Sequence, residues 1–358
     1  MKIIDKYIIK KFLGTFFFSL SLIIIIVIVF DISEKIDDFL GKKAPLKAIV
    51  FDYYLNFIPY FINLFSPLFT FIAVIFFTAQ MASRTEIIAI LGSGISFRRM
   101  LYPYFIAATV LCTLSLLLNN WIIPPANKIR LEFENTYIRV AYVLHAHNFH
   151  RQIQPGEYIY FESYNSPDKI GYRFSYEKIK NGALTYKLMS DRIQWDSTSH
   201  KWSVYNYMIR NIDSLNETMR TGARLDTVFP FKPVDFIIRL TAVESMNYGE
   251  LNRFIEAERL HGSENIVFYE VEKYKRIAFP FATFILTLIG VSLASRKVRG
   301  GIGAQLGIGI GISFVFIMFM QVATTFATNG NVPAIIAVWI PNLIFGILSI
   351  YLLKMVPK

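Results

Sequence analysis

The chain is predicted to be an α-helical membrane protein with six transmembrane helices and an all-β domain inserted between the third and the fourth. Three observations carry this prediction. Of the 358 residues 54% are hydrophobic, with 33 Phe and 20 Tyr, a balance common in membrane proteins and rare in soluble domains. Six runs are long enough to cross about 30 Å of hydrocarbon. They are 12–30, 53–80, 100–123, 277–295, 302–328 and 332–353, and none contains Asp, Glu, His, Lys or Arg. Between the third and fourth runs the texture changes to short aromatic and β-branched segments separated by turn signals.

Basic residues orient the spans. The N-terminus, the 83–99 and 295–300 connections and the C-terminus together hold twelve bases and two acids, which is ten of the net +11. The positive-inside rule puts these four segments, both termini included, in the cytoplasm. The same distribution argues against nucleic acid as a partner, because the excess lies in short connections beside the spans and not on one basic domain. The N-terminal apolar run exceeds a signal-peptide core and is followed by Asp-Ile-Ser-Glu, so it is read as a span rather than a cleaved leader. Cys112 is the sole cysteine, which excludes a disulfide within one chain.

After the first span, DISEKIDDFLGKKAPLK reads as a short charged exterior segment turning around Gly41 and Pro45. Asn56, Pro59, Asn63 and Pro67 interrupt the second span and predict kinks. SRTEIIAILGSGISFRR (83–99) then separates two apolar runs. Ser83 and Glu86 have the S-x-x-E spacing of a capping box. Ile87, Ile90 and Leu91 share one helical face, and Gly92 and Gly94 supply the stop. A helix over about 83–92 is roughly 12–15 Å long, too short to cross a bilayer and long enough to fill a groove on a partner. It is either an interfacial helix joining two spans or a coupling helix that carries force from a cytoplasmic motor. The third span ends at Trp121, a residue suited to the membrane interface, and at Pro124-Pro125.

Segments such as GEYIYFESY, IGYRFSYEKIK, ALTYKLM and KWSVYNYMI, with turns at 165–168, 181–182 and 196–199, predict an antiparallel sandwich or open β-roll. About 120 residues suffice for its own core. His145, His147 and His150 invite a metal reading, but no cysteine or tight acidic companion stands beside them, and a polar β-surface is preferred. Next, SMNYGELNRFIEAERLHGSENIVFYEVEKYKRIAFP reads as two helices broken at 261–263, the second entering the fourth span with Pro280 just inside. In the fifth span Gly303, Gly307 and Gly311 recur every fourth residue. This is not a dinucleotide loop, since the G-x-G-x-x-G spacing and a preceding strand are missing. It is a small-residue face, packed loosely or turned to a partner. The resulting domains are 1–126, the β domain 127–246, connecting helices 247–275, and 276–358.

AQMASRTEIIAILGSGISFRRML, GELNRFIEAERLHG with YEVEKYKRIAFP, and Gln321, Asn329-Gly330, Pro333 and Pro341-Asn342 in the last two spans resemble the LptF/LptG (YjgP/YjgQ) permeases of lipopolysaccharide export. The resemblance covers nearly the whole chain and leans to the LptG side of the pair. It implies three spans, a periplasmic β-jellyroll and three more spans in the bacterial inner membrane. It also implies a non-catalytic transporter subunit, paired with an LptF-like permease on an LptB-like ATPase dimer that binds ATP and Mg. No cofactor is expected in this chain. The cargo would be lipopolysaccharide, taken from the membrane and handed to an LptC/LptA-like periplasmic bridge. By the resemblance Glu86 is the coupling-helix acid that meets a base of the ATPase, with Ser83, Arg84, Ile87, Ile90, Leu91 and Gly92 around it. The first and fifth spans would form lateral openings, with Gly303, Gly307 and Gly311 at a seam. Bases at the outer end of the first span, here Lys35, Lys42 and Lys43, would meet lipid A phosphates. The alternative for these lysines is a solvated, salt-bridged turn with Asp31, Glu34, Asp37 and Asp38.

Exposing one acyl chain to water costs on the order of 10 kcal/mol, at about 0.8 kcal/mol per CH₂. An extractor therefore needs either an energy source or a continuous apolar path. The chain has no G-x-x-x-x-G-K-[ST] loop and no ionisable residue in its six apolar runs. Energy is expected from a partner, which favours the coupling reading of 83–92. Two rivals stand beside it. One is a mechanotransmission-type ABC permease that works periplasmic partners without carrying lipid. The other is a membrane-embedded lipid-modifying enzyme, for which the spans and their margins offer no convergent nucleophile, base or metal ligands. Most of the Phe side chains serve contact with membrane lipid on any of these readings.

Overall fold

The computed structural model describes residues 2–138, 145–165, 168–213, 216–233, 240–260, 262, 263, 265–295, 301–329 and 332–356, with backbone alone at 145–148 and 240–242. Among these, six helices are long and apolar enough to cross a membrane: Ile3–Gly41, Leu46–Ser83, Phe97–Tyr137, Ile266–Ala294, Gly301–Asn329 and Ala334–Met355. The chain divides into two compact units, a helical one (1–138, 244–251 and 267–358) and a β unit (139–243 and 252–266).

The first apolar run is only the middle of α1 (Ile3–Gly41). Its charged continuation stays helical, helped by an i,i+4 ion pair between Asp31 and Lys35 at 2.6 Å. The turn comes at Lys42-Lys43, with Lys43 in the left-handed region at φ 53°. One turn, α2 (Leu46–Ala48), and a π-helical stretch (Ile49–Tyr54) lead into α3 (Leu55–Ser83). α3 runs as one helix through Pro59 and Pro67, and the irregular turn lies ahead of both prolines. The short α4 (Glu86–Gly92) precedes α5 (Phe97–Leu117), whose N-cap Ser96 accepts from the Arg99 amide. A second π-helical stretch (Leu118–Ile122) joins α5 to α6 (Ile123–Tyr137). Pro124-Pro125 therefore does not end the third helix, and the β segment starts later than residue 127. Both prolines fall in the first turn of α6, where backbone donors are dispensable.

The second half holds α7 (Tyr248–Leu260), α8 (Ile266–Ala294), α9 (Gly301–Asn329) and α10 (Ala334–Met355). α3 is the shared wall of the helical unit. On one side Val74, Phe77 and Met81 pack with Ile8, Phe12, Phe16, Leu20 and Ile24 of α1 and with Leu101, Tyr104 and Leu111 of α5. On the other, Phe71, Ile75 and Ala79 pack with Leu286 and Ile289 of α8 and Phe316 and Met320 of α9. Backbone contact is closest where glycine replaces a side chain. A Cβ on Gly290 of α8 would lie 2.9 Å from Val74 Cγ1 and 3.1 Å from Phe71 Cδ2.

The β unit is one antiparallel sheet in sequential order: β1 (His145–Gln154), β2 (Glu157–Asn165), β3 (Ile170–Lys180), β4 (Ala183–Asp196), β5 (Lys201–Asp213) and β6 (Asn216–Thr227). Of the two all-β alternatives, this pairing is that of a roll rather than of two packed sheets. Its core face carries Phe161, Phe174, Leu188, Ile193, Trp202 and Val204, and Phe231 from the segment after β6 is buried with them. Trp202 Nε1 donates to the Phe231 carbonyl at 3.1 Å, which fastens that segment across the sheet.

Gly290→Leu is expected to lower the stability of the detergent-solubilised chain by about 1–3 kcal/mol, because Val74 and the Phe71 ring have no room to give way. Gly346→Leu meets no heavy atom within 4 Å of its Cβ and is expected to stay close to wild type in the same thermal melt.

Candidate functional site

The polar-edged insert between α3 and α5 folds as a helix, but not by the predicted cap. The S-x-x-E spacing places the N-cap at Ser83. In the structure α3 keeps Ser83 in its last turn, where the hydroxyl donates to the Gln80 carbonyl at 2.9 Å. Arg84 caps α3, and Thr85, left-handed at φ 60°, starts α4. Two residues are too few for a separate capping box, so Glu86 is the first residue of α4 and its carboxylate is free to turn elsewhere. Gly94, at φ 85°, supplies the predicted stop, while Gly92 remains helical. The predicted apolar face is present. Ile87 is buried, Ile90 and Leu91 are half-buried against the same cluster, and Ile88 is 64% exposed. Arg84 and Gly92 are exposed.

The Glu86 carboxylate turns to α1. Tyr7 Oη donates to Glu86 Oε2 at 3.0 Å, and Oε1 has no partner among the described residues. Two residues earlier Asp5, 1% exposed, accepts from both terminal nitrogens of Arg99 at 2.7 Å. A bidentate fork of this kind holds direction as well as charge. Sequence reasoning passes over Asp5, Tyr7 and Arg99. The available signal is that Asp5 is the sole acid among Lys2, Lys6, Lys10 and Lys11, and a lone buried carboxylate needs a cation.

At the other end of the helical unit lies a polar cavity of about 200 Å³, bordered by Tyr60, Asn63, Asn119, Glu244, Glu272 and Lys275 among others. Arg276, 4% exposed, donates to the Met246 carbonyl at 2.6 Å and lies 3.8 Å from Glu272. Burial pushes the Glu244 carboxyl above the usual carboxylate range, and the Glu272 charge adds to it. The charge-free run 277–295 thus begins one residue after a buried arginine on the same helix.

Residues 6–355 match the family described as lipopolysaccharide export system permease LptF/LptG. The chain belongs to that family. The match takes in all six spans and the β insert, so this is a multi-pass membrane permease of the lipopolysaccharide export type. The description covers both LptF and LptG and does not separate them. Comparison with curated proteins returns no match.

In this permease the three predicted outer-end lysines do not come together as one cluster. Lys35 is held within the chain: it pairs with Asp31 at 2.6 Å and donates to Tyr53 Oη, while Tyr54 Oη donates to Asp31 Oδ2 at 3.0 Å. That part of the charged segment is helical, and its ion pair is largely buried rather than in a solvated turn. Lys42 and Lys43 are exposed just beyond α1. Gly303, Gly307 and Gly311 lie on the open side of α9, where a Cβ added to any of them would meet no heavy atom within 4 Å. Gly309 is instead the glycine that meets α3, at Ile75. His150 is exposed and stacks on Tyr158; the side chains of His145 and His147, and Arg296, Lys297 and Arg299 of the 295–300 connection, lie outside the described residues.

Asp5→Arg and Arg99→Asp are each expected to lower the melting temperature of the purified permease, and the double exchange to recover most of the loss. Additive losses in that cycle would show that the two side chains do not act on each other.

Proposed function

We propose that this permease is one of two membrane subunits of an ABC-type exporter. It takes lipopolysaccharide from the inner membrane and passes it to an LptC/LptA-like periplasmic bridge. A separate LptB-like ATPase dimer docked under α4 supplies the work, and ATP and Mg stay with that dimer. The second membrane subunit is an LptF-like permease, and the family assignment is the basis for this set of partners. The charge distribution supports a cytoplasmic placement of α4 and of both termini, with the β unit in the periplasm.

One observation carries the coupling role. α4 is a seven-residue helix between two long spans, with Ile87 buried on one side, Ile88 exposed on the other and one Glu86 oxygen unoccupied. Such a helix presents an apolar contact and a carboxylate on a small surface, which suits a groove on a basic partner. For cargo, the outward faces of α1 (Phe18 and Phe30) and α9 (Phe314 and Phe326) are apolar, and the Gly303, Gly307, Gly311 side of α9 leaves room for another helix or an acyl chain. Lys35, Lys42 and Lys43 are assigned to lipid A phosphates, Lys35 once it leaves Asp31.

Co-purification from native membranes, with identification of bound protein and lipid, tests this reading directly. Glu86→Ala is expected to loosen the ATPase or uncouple transport from hydrolysis while membrane insertion stays intact. Wild-type transport and assembly in that variant would count against the role of α4. Lys43→Glu is expected to weaken photo-crosslinking to lipopolysaccharide with little change in melting temperature. Lys35→Met, which leaves the Asp31 charge to the Tyr53 and Tyr54 hydroxyls without its cation, is expected to lower the melting temperature instead.

A further inference from the structure

We propose that Tyr7 is a positioning residue that ties α1 to α4 through the Glu86 carboxylate, so that a displacement of α4 is carried into the first span. The inference rests on the reading that α4 receives the ATPase. Covalently, α4 is attached through two tight turns, Arg84-Thr85 with Thr85 at φ 60° and Ser93-Gly94 with Gly94 at φ 85°. Its other attachments reach α1 as well as α3 and α5. Tyr7 Oη donates to Glu86 Oε2 at 3.0 Å, a charge-assisted bond. Ile87 is buried in the same apolar cluster as Ile8 and Phe12. Ile90 of α4 and Ile4 of α1 border one crevice of about 20 Å³, next to Asp5 and Arg99.

α1 is suited to being steered from this end. Through the span it is buried along one side, by Ile8, Phe12, Phe16, Leu20 and Ile24 flanked by the half-buried Ile9, Leu13 and Ile23, with Phe39 buried separately beyond it, while Phe17, Phe18, Leu22, Ile25, Val29 and Phe30 face out of the chain. A helix fastened along one stripe can roll or tilt about that stripe, and Tyr7 and Asp5 sit at its end, where a small push has the longest lever. The tie also separates two roles of Glu86. One oxygen serves Tyr7, and the other is left for a partner's base.

The test uses the complete complex purified from native membranes and reconstituted in liposomes, with lipopolysaccharide release per ATP hydrolysed as the first readout. The second is the nucleotide-dependent change in distance between spin labels at Val29→Cys and Ile347→Cys in a Cys112→Ala background. With Tyr7→Phe, release per ATP is expected to fall roughly tenfold, the low end of what loss of one hydrogen bond to a charged group produces. The distance change should be lost while the ATPase remains bound. Tyr7→Phe combined with Glu86→Ala, which removes the acceptor, should be no worse than Glu86→Ala alone. A normal ratio and distance change in Tyr7→Phe, or additivity in the double variant, would each overturn the tie. Normal coupling in the Glu86 variants would overturn the docking role of α4 as well, whereas a defective Glu86 variant beside a normal Tyr7→Phe removes the tie alone.

Discussion

In hydrocarbon, a freed backbone carbonyl or an ionised side chain has no partner except the chain itself, and the helical unit is organised by that constraint. Pro280 cannot donate to the Arg276 carbonyl one turn back. Asn119 Nδ2 does so instead at 3.5 Å, and Asn119 Oδ1 accepts from Asn63 at 2.8 Å, so a proline on α8 is answered from α3 and the end of α5. Asn342 beside Pro341 donates to the Ala278 carbonyl at 2.8 Å and links α10 to the same helix. Asn63, Asn119 and Asn342, which look like interruptions in the apolar runs, thus act as interhelical connections, while Asn56 bonds back to the Phe51 and Asp52 carbonyls.

The same demand decides where charges can stand. Asp5 is nearly fully buried and faces Arg99, while Asp31 collects Lys35, Tyr53 and Tyr54. These two clusters lie near opposite ends of α1, and between them the helix packs along one side, through Ile8, Phe12, Phe16, Leu20 and Ile24 and the half-buried Ile9, Leu13 and Ile23 beside them. α3 is held on both sides, by α1 and α5 on one and by α8 and α9 on the other. The unit therefore has a rigid wall and a first helix fastened along one stripe. A helix with one bound face is the element of this unit that can move at least cost.

Several of these features are legible in the residues alone. Span lengths follow from the apolar runs, because crossing about 30 Å requires roughly 20 helical residues and charges are expensive there. The β insert is legible in the alternation of GEYIYFESY and its neighbours, and Ile87, Ile90 and Leu91 announce the buried side of α4. The failures are local and have physical causes. Ser83 and Glu86 have the spacing of a cap, but Ser83 remains in α3, and Glu86 finds a phenol 79 residues away in sequence. Pro124-Pro125 reads as a stop, yet two prolines in a first turn cost a helix little. Of the glycines on α9, the periodic three stay on the open side, and Gly309, outside that period, makes the contact with α3.

By itself, then, the order of residues determined how many times the chain crosses a membrane, where the all-β segment is inserted and which short helix interrupts the spans. Each of these follows from local burial, charge and backbone propensity, which a run of ten to thirty residues already expresses. Only the tertiary structure decided that Tyr7 meets Glu86, that Asp5 meets Arg99 and that Asn119 answers Pro280. Such pairings join groups tens to hundreds of residues apart. Which donor reaches which acceptor depends on how the helices pack, and no short stretch of sequence contains that information.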